Sequence, residues 1–173
     1  MSESSYIGVR FGAFVITGEI GRGGMGVVYS ARQERPNRSV ALKVLDARFA
    51  ADPSFVARFE REGELLAKMQ SPHVVQVYEH GRIDDWLYLA MQRVPGGDLA
   101  AYLRERGPLP LALSADLTAQ VASALADAHA LGIIHRDVKP SNVLLSRTGS
   151  DLFAYLCDFG IAQEEQSELT QTG

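Results

Sequence analysis

His135-Arg136-Asp137-Val138-Lys139-Pro140-Ser141-Asn142, followed further on by Asp158-Phe159-Gly160, is the stretch on which the reading of this chain turns. Apolar Ile133-Ile134 precede it and Val143-Leu144-Leu145 follow, so its polar groups stand on a hydrophobic footing. Taken singly, each residue has a plain structural explanation. Asp137 serves as a turn former, Asn142 as a capping amide, and Asp158 as an ordinary turn residue before a glycine. In this order they offer an acid, a cation and an amide in one loop, then a second acid. Phosphoryl transfer from a metal-bound nucleotide requires that set: a carboxylate to take a hydroxyl proton, positive charge near the migrating group, and oxygen ligands for Mg²⁺.

Working outward, Gly21-Arg22-Gly23-Gly24-Met25-Gly26-Val27-Val28 has the spacing G-x-G-x-x-G-x-V. Glycines let backbone N–H groups approach phosphate oxygens with no Cβ in the way, although a plain glycine turn fits equally well. The sequel selects among phosphate-binding loops. A dinucleotide-binding turn runs into a helix, whereas Val27-Val28-Tyr29 is β-branched and aromatic, so these glycines cap a hairpin. No Gly-Lys-Ser/Thr ends the run, which excludes a Walker-type loop.

Lys43, in Val40-Ala41-Leu42-Lys43, would alone read as a solvated strand lysine. Glu62 changes this. On a helical projection it falls among Phe55, Phe59, Leu66 and Met69, while Glu60 and Glu64 point away. A carboxylate on an apolar stripe needs a cationic partner or it protonates. Lys43 is the candidate partner, beneath the glycine hairpin.

The remaining pattern predicts an α+β chain. Residues 1–13 form a loosely ordered lead-in. Strands are expected at Phe14 to Ile16, Val27 to Tyr29, Val40 to Leu45, Val74 to Tyr78 and Trp86 to Met91, with a turn at Gly81 to Asp85. Asp52-Pro53 starts a helix, Asp as N-cap and Pro at the first helical position, ending near Ser71-Pro72. Val94-Pro95-Gly96-Gly97 is a linker, after which the character becomes helical. A short helix spans Asp98 to Arg104, and a longer one Leu111 to Ala130, stopped by Gly132. Val143 to Leu145 and Phe153 to Leu156 form a short hairpin.

Bulk properties agree with a soluble globular protein. The 173 residues suffice for one domain or two small lobes, and 46% hydrophobic with 22% charged residues excludes a disordered chain. A net charge of −4 argues against nucleic-acid binding. The one cysteine, Cys157, rules out an internal disulfide, reads as a buried structural thiol and suits a reducing cytoplasm. No apolar run approaches the roughly 20 residues needed to span a bilayer, and MSESSYIGVR is no signal peptide.

These motifs together resemble the signature set of eukaryotic-type protein kinases, and most closely the bacterial serine/threonine branch, in Gly-Arg-Gly-Gly-Met-Gly and Asp158-Phe159-Gly160-Ile161-Ala162. The resemblance runs from Phe14 to Gly173. It implies a two-lobe kinase fold, with a small lobe at 14–94 (five antiparallel strands and one helix) and a partial, mainly helical large lobe at 95–173. It further implies that Gly21, Gly23 and Gly26 cover the ATP phosphates, with Ile20, Arg22, Gly24 and Met25 also among the nucleotide-binding residues. Lys43, held by Glu62, reaches the α- and β-phosphates. Val28, Ala41 and Leu144 sandwich the adenine, Met91 guards the back pocket, and Gln92 to Val94 form the hinge. Asp98 contacts ribose or substrate. Asp137 is the catalytic base, Lys139 stabilises the migrating phosphoryl, and Asn142 and Asp158 bind Mg²⁺, with Mn²⁺ as an alternative ion. Leu66, Val77, His135 and Phe159 match a stacked apolar column. Arg136 suggests control through phosphorylation of the activation loop, with Thr170 and Thr172 as candidate sites.

The implied function is transfer of the ATP γ-phosphate to Ser/Thr hydroxyls of proteins, autophosphorylation included. Two departures stand out. Gln92-Arg93 replaces the usual hinge pair, and Gly63 beside Glu62 costs the helix about 1 kcal/mol relative to alanine, easing its movement. The chain also stops at Gly173, before the rest of the activation loop and the substrate-holding helices. The expectation is therefore a fragment or truncated product, with an exposed face on the Leu111–Ala130 helix inviting a second chain. A membrane anchor would have to lie beyond residue 173. The rival from another class is a catalytically inactive nucleotide-binding or interaction fragment. A small-molecule phosphotransferase shares the catalytic acid, but not normally this glycine hairpin with Arg136 and Lys139.

Overall fold

The computed structural model describes residues 6–148 and 151–160. They fall into two compact units, one holding residues up to Ala67 with Val77–Arg93, the other Lys68–Gln76 with the residues from Val94 onward.

The first unit is built on a six-stranded antiparallel sheet in the order β1-β2-β3-β4-β6-β5. Its strands are β1 (Arg10–Phe11), β2 (Phe14–Gly23), β3 (Gly26–Gln33), β4 (Arg38–Leu45), β5 (Val77–Ile83) and β6 (Trp86–Gln92). Residues paired across antiparallel strands share a face. On one face Phe14, Ile16, Tyr29, Val40, Leu42, Tyr88 and Ala90 form a buried cluster. That face also carries a polar network. Tyr88 Oη donates to Glu79 Oε1 at 2.6 Å, Gln33 Nε2 donates to Glu79 Oε2 at 2.9 Å, and Arg38 Nε donates to Gln33 Oε1 at 2.6 Å. Burial and the Glu79 carboxylate both push the Tyr88 phenol well above its ordinary range.

The opposite face receives a helix. After the four-residue α1 (Ala47–Ala50), α2 runs over Pro53–Lys68. Asp52 caps it as expected, its Oδ1 accepting from Ser54 N at 2.8 Å and Ser54 Oγ at 2.9 Å. Phe55, Phe59, Gly63 and Leu66 are its buried residues. The centre of the stripe is thus Gly63; Glu62 sits half-buried on its shoulder, with Glu60 and Glu64 exposed. Met69 is buried just past the helix end.

Several sequence expectations need correction in this unit. The lead-in is not loose over Tyr6–Phe11: β1 pairs with β2, Gly8 N donates to Ile16 O at 2.8 Å, and Arg10 forms a two-pronged ion pair with Glu34. The sheet therefore has a strand more than the pattern suggested, and α1 is a short helix that the pattern did not show. The strand expected at Val74–Tyr78 starts at Val77 and continues through Gly81 to Ile83, so the turn shrinks to Asp84-Asp85, with Asp84 at φ 51°. Glycine content mimicked a longer turn; the cross-strand partners of Gly81 and Arg82 on β6 outweigh it.

In the second unit, α3 (Leu99–Arg106) is capped by Asp98, whose Oδ1 accepts from Ala101 N at 2.8 Å. The long helix α4 (Leu111–Ala130) buries Leu117, Ala124 and Ala128, with Val121 and Leu125 half-buried. It ends in a Schellman motif: Gly132 at φ 73° donates to His129 O and Ile133 N to Ala128 O, both at 2.9 Å. Strands β7 (Val143–Thr148) and β8 (Asp151–Leu156) form the predicted hairpin, longer by a few residues. The other edge of β8 is closed from two sides. Gln120 on α4 accepts from Ala154 N at 2.7 Å, and Leu156 N donates to His73 O at 2.8 Å. Val74, expected in a strand of the first unit, instead bridges Leu156 in parallel.

Candidate active site

Each unit carries its own set of sequence-expected residues. In the first, β2 and β3 pair down to Gly23↔Gly26, leaving Gly24-Met25 as a two-residue turn. Gly26 has no alternative, since at φ 149° an added Cβ would lie 2.1 Å from Val44 O. At Gly21, Gly23 and Gly24 a Cβ would meet no protein atom within 4 Å, so packing does not demand glycine there. The tip is tied from below: Asp46 N donates to Met25 O at 3.0 Å, and the Arg48 guanidinium donates to Gly24 O. Sequence reading missed both ties, since they depend on α1, which is too short to show periodicity. Arg22 is engaged with Glu19 at 2.8 Å, and this hydrogen bond raises the pKa of its guanidinium.

The sheet register aligns the remaining residues. Val28↔Lys43↔Leu89↔His80 forms one row across four strands, and Ser30↔Ala41↔Met91↔Val77 the next. Val28, Ala41, Lys43 and Met91 therefore face one side of the sheet, the side that carries α2. Ala41 is buried, while Val28, Lys43, Met91 and Gln92 are half-buried. Ile20 is 53% exposed on β2.

In the second unit, the loop reads as a set of mutual constraints. Lys139 Nζ lies 2.7 Å from Asp137 Oδ2, and Asn142 Nδ2 donates to the same oxygen at 3.0 Å and to Asp137 O at 2.8 Å. His135 is 1% exposed, with Nε2 2.8 Å from Cys157 O, while its Nδ1 accepts from Asp137 N at 3.2 Å. That pairing requires the Nε2–H tautomer. Cys157 N donates to Asn142 O at 2.9 Å, Cys157 Sγ donates to the same carbonyl at 3.3 Å, and Gly160 N donates to His135 O at 3.2 Å. The loop around Asp137 and the turn around Asp158 are thereby one hydrogen-bonded body. Cys157 is the buried structural thiol expected. Phe159 packs on His135 with ring centroids 4.6 Å apart.

Two residues here hold left-handed backbone without being glycine, Arg136 at φ 65° and Asp158 at φ 57°. Such conformations cost of order 1 kcal/mol or more and persist where surroundings over-determine them. Asp98 and Leu144, which share no sequence neighbourhood, form an antiparallel bridge, and Leu145 N donates to Gly97 O at 2.9 Å. Gly96 permits that approach: a Cβ there would stand 2.1 Å from Leu145 O. The linker is thus a fitted joint.

The donor chemistry suits a hard cation held jointly with phosphates. Asn142 spends its amide nitrogen on Asp137, leaving Oδ1 as the atom it can offer, and Asp158 follows the residue hydrogen-bonded to Asn142. Among the described residues, no group of three or more His, Cys, Asp or Glu side chains could hold a metal alone. Two oxygen donors plus substrate phosphates is the arrangement Mg²⁺ favours.

Residues 14–172 match the sequence profile of the protein kinase domain. The chain belongs to the protein kinase family. It is 43% identical over 173 residues to the serine/threonine-protein kinase PknH of Mycobacterium tuberculosis, covering 99% of this chain and 27% of that protein. With PknE of the same species it shares 46% identity over 167 residues, covering 96% of this chain and 29% of the relative. The chain thus spans under a third of the length of the curated relatives it matches. Among solved structures, the M. tuberculosis PknI kinase domain superposes with a TM-score of 0.81 at 37% identity, covering 91% of this chain and 62% of that one. The two-lobe kinase fold and the bacterial serine/threonine branch are therefore those of this chain, and the family uses ATP with a divalent metal. Ile161, Ala162, Thr170 and Thr172 lie outside the described residues. Among the described residues no helix is long and apolar enough to cross a membrane.

Proposed function

We propose that this chain is the nucleotide-binding and catalytic part of a serine/threonine protein kinase that moves the γ-phosphate of ATP onto Ser or Thr hydroxyls of proteins, its own included, with 14–94 and 95–173 as its two lobes. The observation that carries this reading is the Asp137 carboxylate, fixed at one oxygen by both Lys139 and Asn142. A base must be aimed before it is useful. Here the cation and the amide aim it, while buried His135 holds its backbone.

In the transfer, the hydroxyl oxygen bonds to the γ-phosphorus as the bond to the β–γ bridging oxygen breaks. The hydroxyl proton passes to Asp137 and ADP leaves. Lys139, already beside Asp137, offers its charge to the migrating phosphoryl. Asn142 Oδ1 and Asp158 hold Mg²⁺, with Mn²⁺ able to replace it; when bound, the ion neutralises phosphate charge. Lys43, steadied by Glu62, contacts the α- and β-phosphates. Gly21, Gly23 and Gly24, which packing does not require, are glycine so that backbone N–H groups can reach phosphate. Ile20, Val28, Ala41, Met91 and Leu144 contact the adenine, Gln92 and Val94 bond its edge, and Asp98 takes the ribose or substrate. Thr170 and Thr172 are the autophosphorylation sites.

Incubation with γ-labelled ATP and Mg²⁺ tests this. Label should enter the protein or an added basic protein substrate, and Lys43→Ala, Asp137→Asn and Asp158→Ala should each abolish incorporation. Full activity in any of the three would defeat the assignment. Nucleotide binding without incorporation in the unaltered chain would favour a binding fragment.

A further inference from the structure

Gly63 was expected to loosen α2. The geometry gives it a different purpose. A Cβ built on Gly63 would lie 2.6 Å from Cδ2 and 2.7 Å from Cγ of His80, so the imidazole occupies the space a side chain would take. Gly63 is buried in the centre of the α2 stripe, and the His80 ring also meets Phe59, one helical turn back, edge-on at 6.2 Å. The helix therefore rests on His80 through bare backbone.

His80 is not an arbitrary point on the sheet. It ends the row Val28↔Lys43↔Leu89↔His80, two strands from Lys43. With strands about 4.8 Å apart, the two lie about 10 Å apart along the row. The irregularity at Tyr78, between Val77↔Met91 and Glu79↔Ala90, is what puts His80 on this face, since Val77 and His80, three residues apart, both pair with same-face residues of β6. The row thus has Lys43 within it and the support for Gly63 at its end, and Glu62 is the residue adjoining Gly63 on the helix.

We propose that the Gly63–His80 contact is a spacer that sets how closely α2 approaches the sheet and thereby the reach of Glu62 toward Lys43, making His80 a positioning residue for the phosphate-binding lysine. This deepens the kinase reading and rests on it. A larger residue at 63 lifts the helix or displaces the ring; a smaller one at 80 removes the stop. The two changes together compensate, because the methyl gained replaces part of the ring lost.

The test is a cycle of Gly63→Ala, His80→Ala and the double variant, read by thermal unfolding and by Mg·ADP affinity, with Lys43→Ala as reference. An open helix position gains stability from Gly→Ala. Here Gly63→Ala should instead lower the unfolding midpoint by about 5 °C and weaken Mg·ADP at least fivefold, leaving adenosine affinity within twofold. The double variant should recover both to within twofold in affinity and most of the midpoint. Should Gly63→Ala fail to fold, recovery of folding in the double variant is the equivalent result, and no recovery overturns the proposal. A raised midpoint in Gly63→Ala also overturns it. So does a strong stability coupling with unchanged Mg·ADP affinity, provided Lys43→Ala does weaken Mg·ADP. If Lys43→Ala leaves Mg·ADP binding intact, the kinase site reading fails first and takes the spacer with it.

Discussion

Asp137 has a neighbourhood that separates binding from chemistry. Its Oδ2 holds Lys139 and Asn142, and an amide in its place retains one oxygen for those contacts but loses the basicity that takes the proton. Asp137→Asn should therefore lower kcat for phosphate transfer by about 10²–10⁴-fold, with Mg·ADP affinity within a few fold of the parent. A proportional loss of both in calorimetry and turnover assays would show that Asp137 acts by holding the loop together. Gly96 offers the complementary case, a residue outside the chemistry whose geometry is unforgiving. Its Cβ would sit 2.1 Å from a backbone carbonyl, which cannot swing aside as a side chain can. Gly96→Ala should cost about 1–3 kcal/mol in denaturant unfolding and separate the Asp98–Leu144 bridge. Asp137, Lys139 and Asn142 were legible in sequence because they share one short loop. The fitted role of Gly96 was not, because it is defined by Leu145, which sequence spacing does not relate to it.

At the scale of elements, strands with a run of apolar residues and helices with a marked start or stop were readable, as β4 and β6, the Asp52 cap of α2 and the Gly132 stop of α4 show. The elements that escaped are those whose existence depends on partners. β1 has two residues and is held by β2 and by the Arg10–Glu34 pair, whose guanidinium keeps the Glu34 carboxyl below its usual range. The start of β5 moved by three residues because Val74 and Val75, apolar enough for either sheet, pair with Leu156 instead. The β5–β6 pair also carries a testable polar element. Tyr88 donates to Glu79, and its phenol pKa is raised by burial and by that carboxylate. Between the ordinary tyrosine pKa of about 10 and the raised folded value, the folded state keeps a proton that the unfolded state has lost. Stability from this group is thus complete below about pH 10 and declines as pH rises beyond it. Tyr88→Phe should cost about 1–2 kcal/mol at pH 7 and flatten the alkaline loss. An unchanged slope between pH 9.5 and 11 would show that the Glu79 bond carries no such linkage.

For the whole molecule, each of the two units has its own hydrogen-bonded logic. The first fixes Lys43 in a sheet row and Glu62 on a half-buried shoulder. The second fixes Asp137, Asn142 and Asp158 through His135 and Cys157. The effect of a substitution at exposed Asp158 or half-buried Lys43 is therefore read against that variant's own ligand-free unfolding midpoint. Binding changes the accounting. A ligand that engages only the native state adds RT ln(1 + [L]/Kd), about 2.7 kcal/mol at a hundredfold excess over Kd. Mg·ADP should raise the midpoint, and either Lys43→Ala or Asp158→Ala should remove most of that rise, taken from each variant's own ligand-free midpoint. ADP with a chelator should mimic Asp158→Ala, because metal removal takes away what Asp158 contributes, and it should add nothing further in that variant. Additive losses from chelation and Asp158→Ala would place the metal on other ligands.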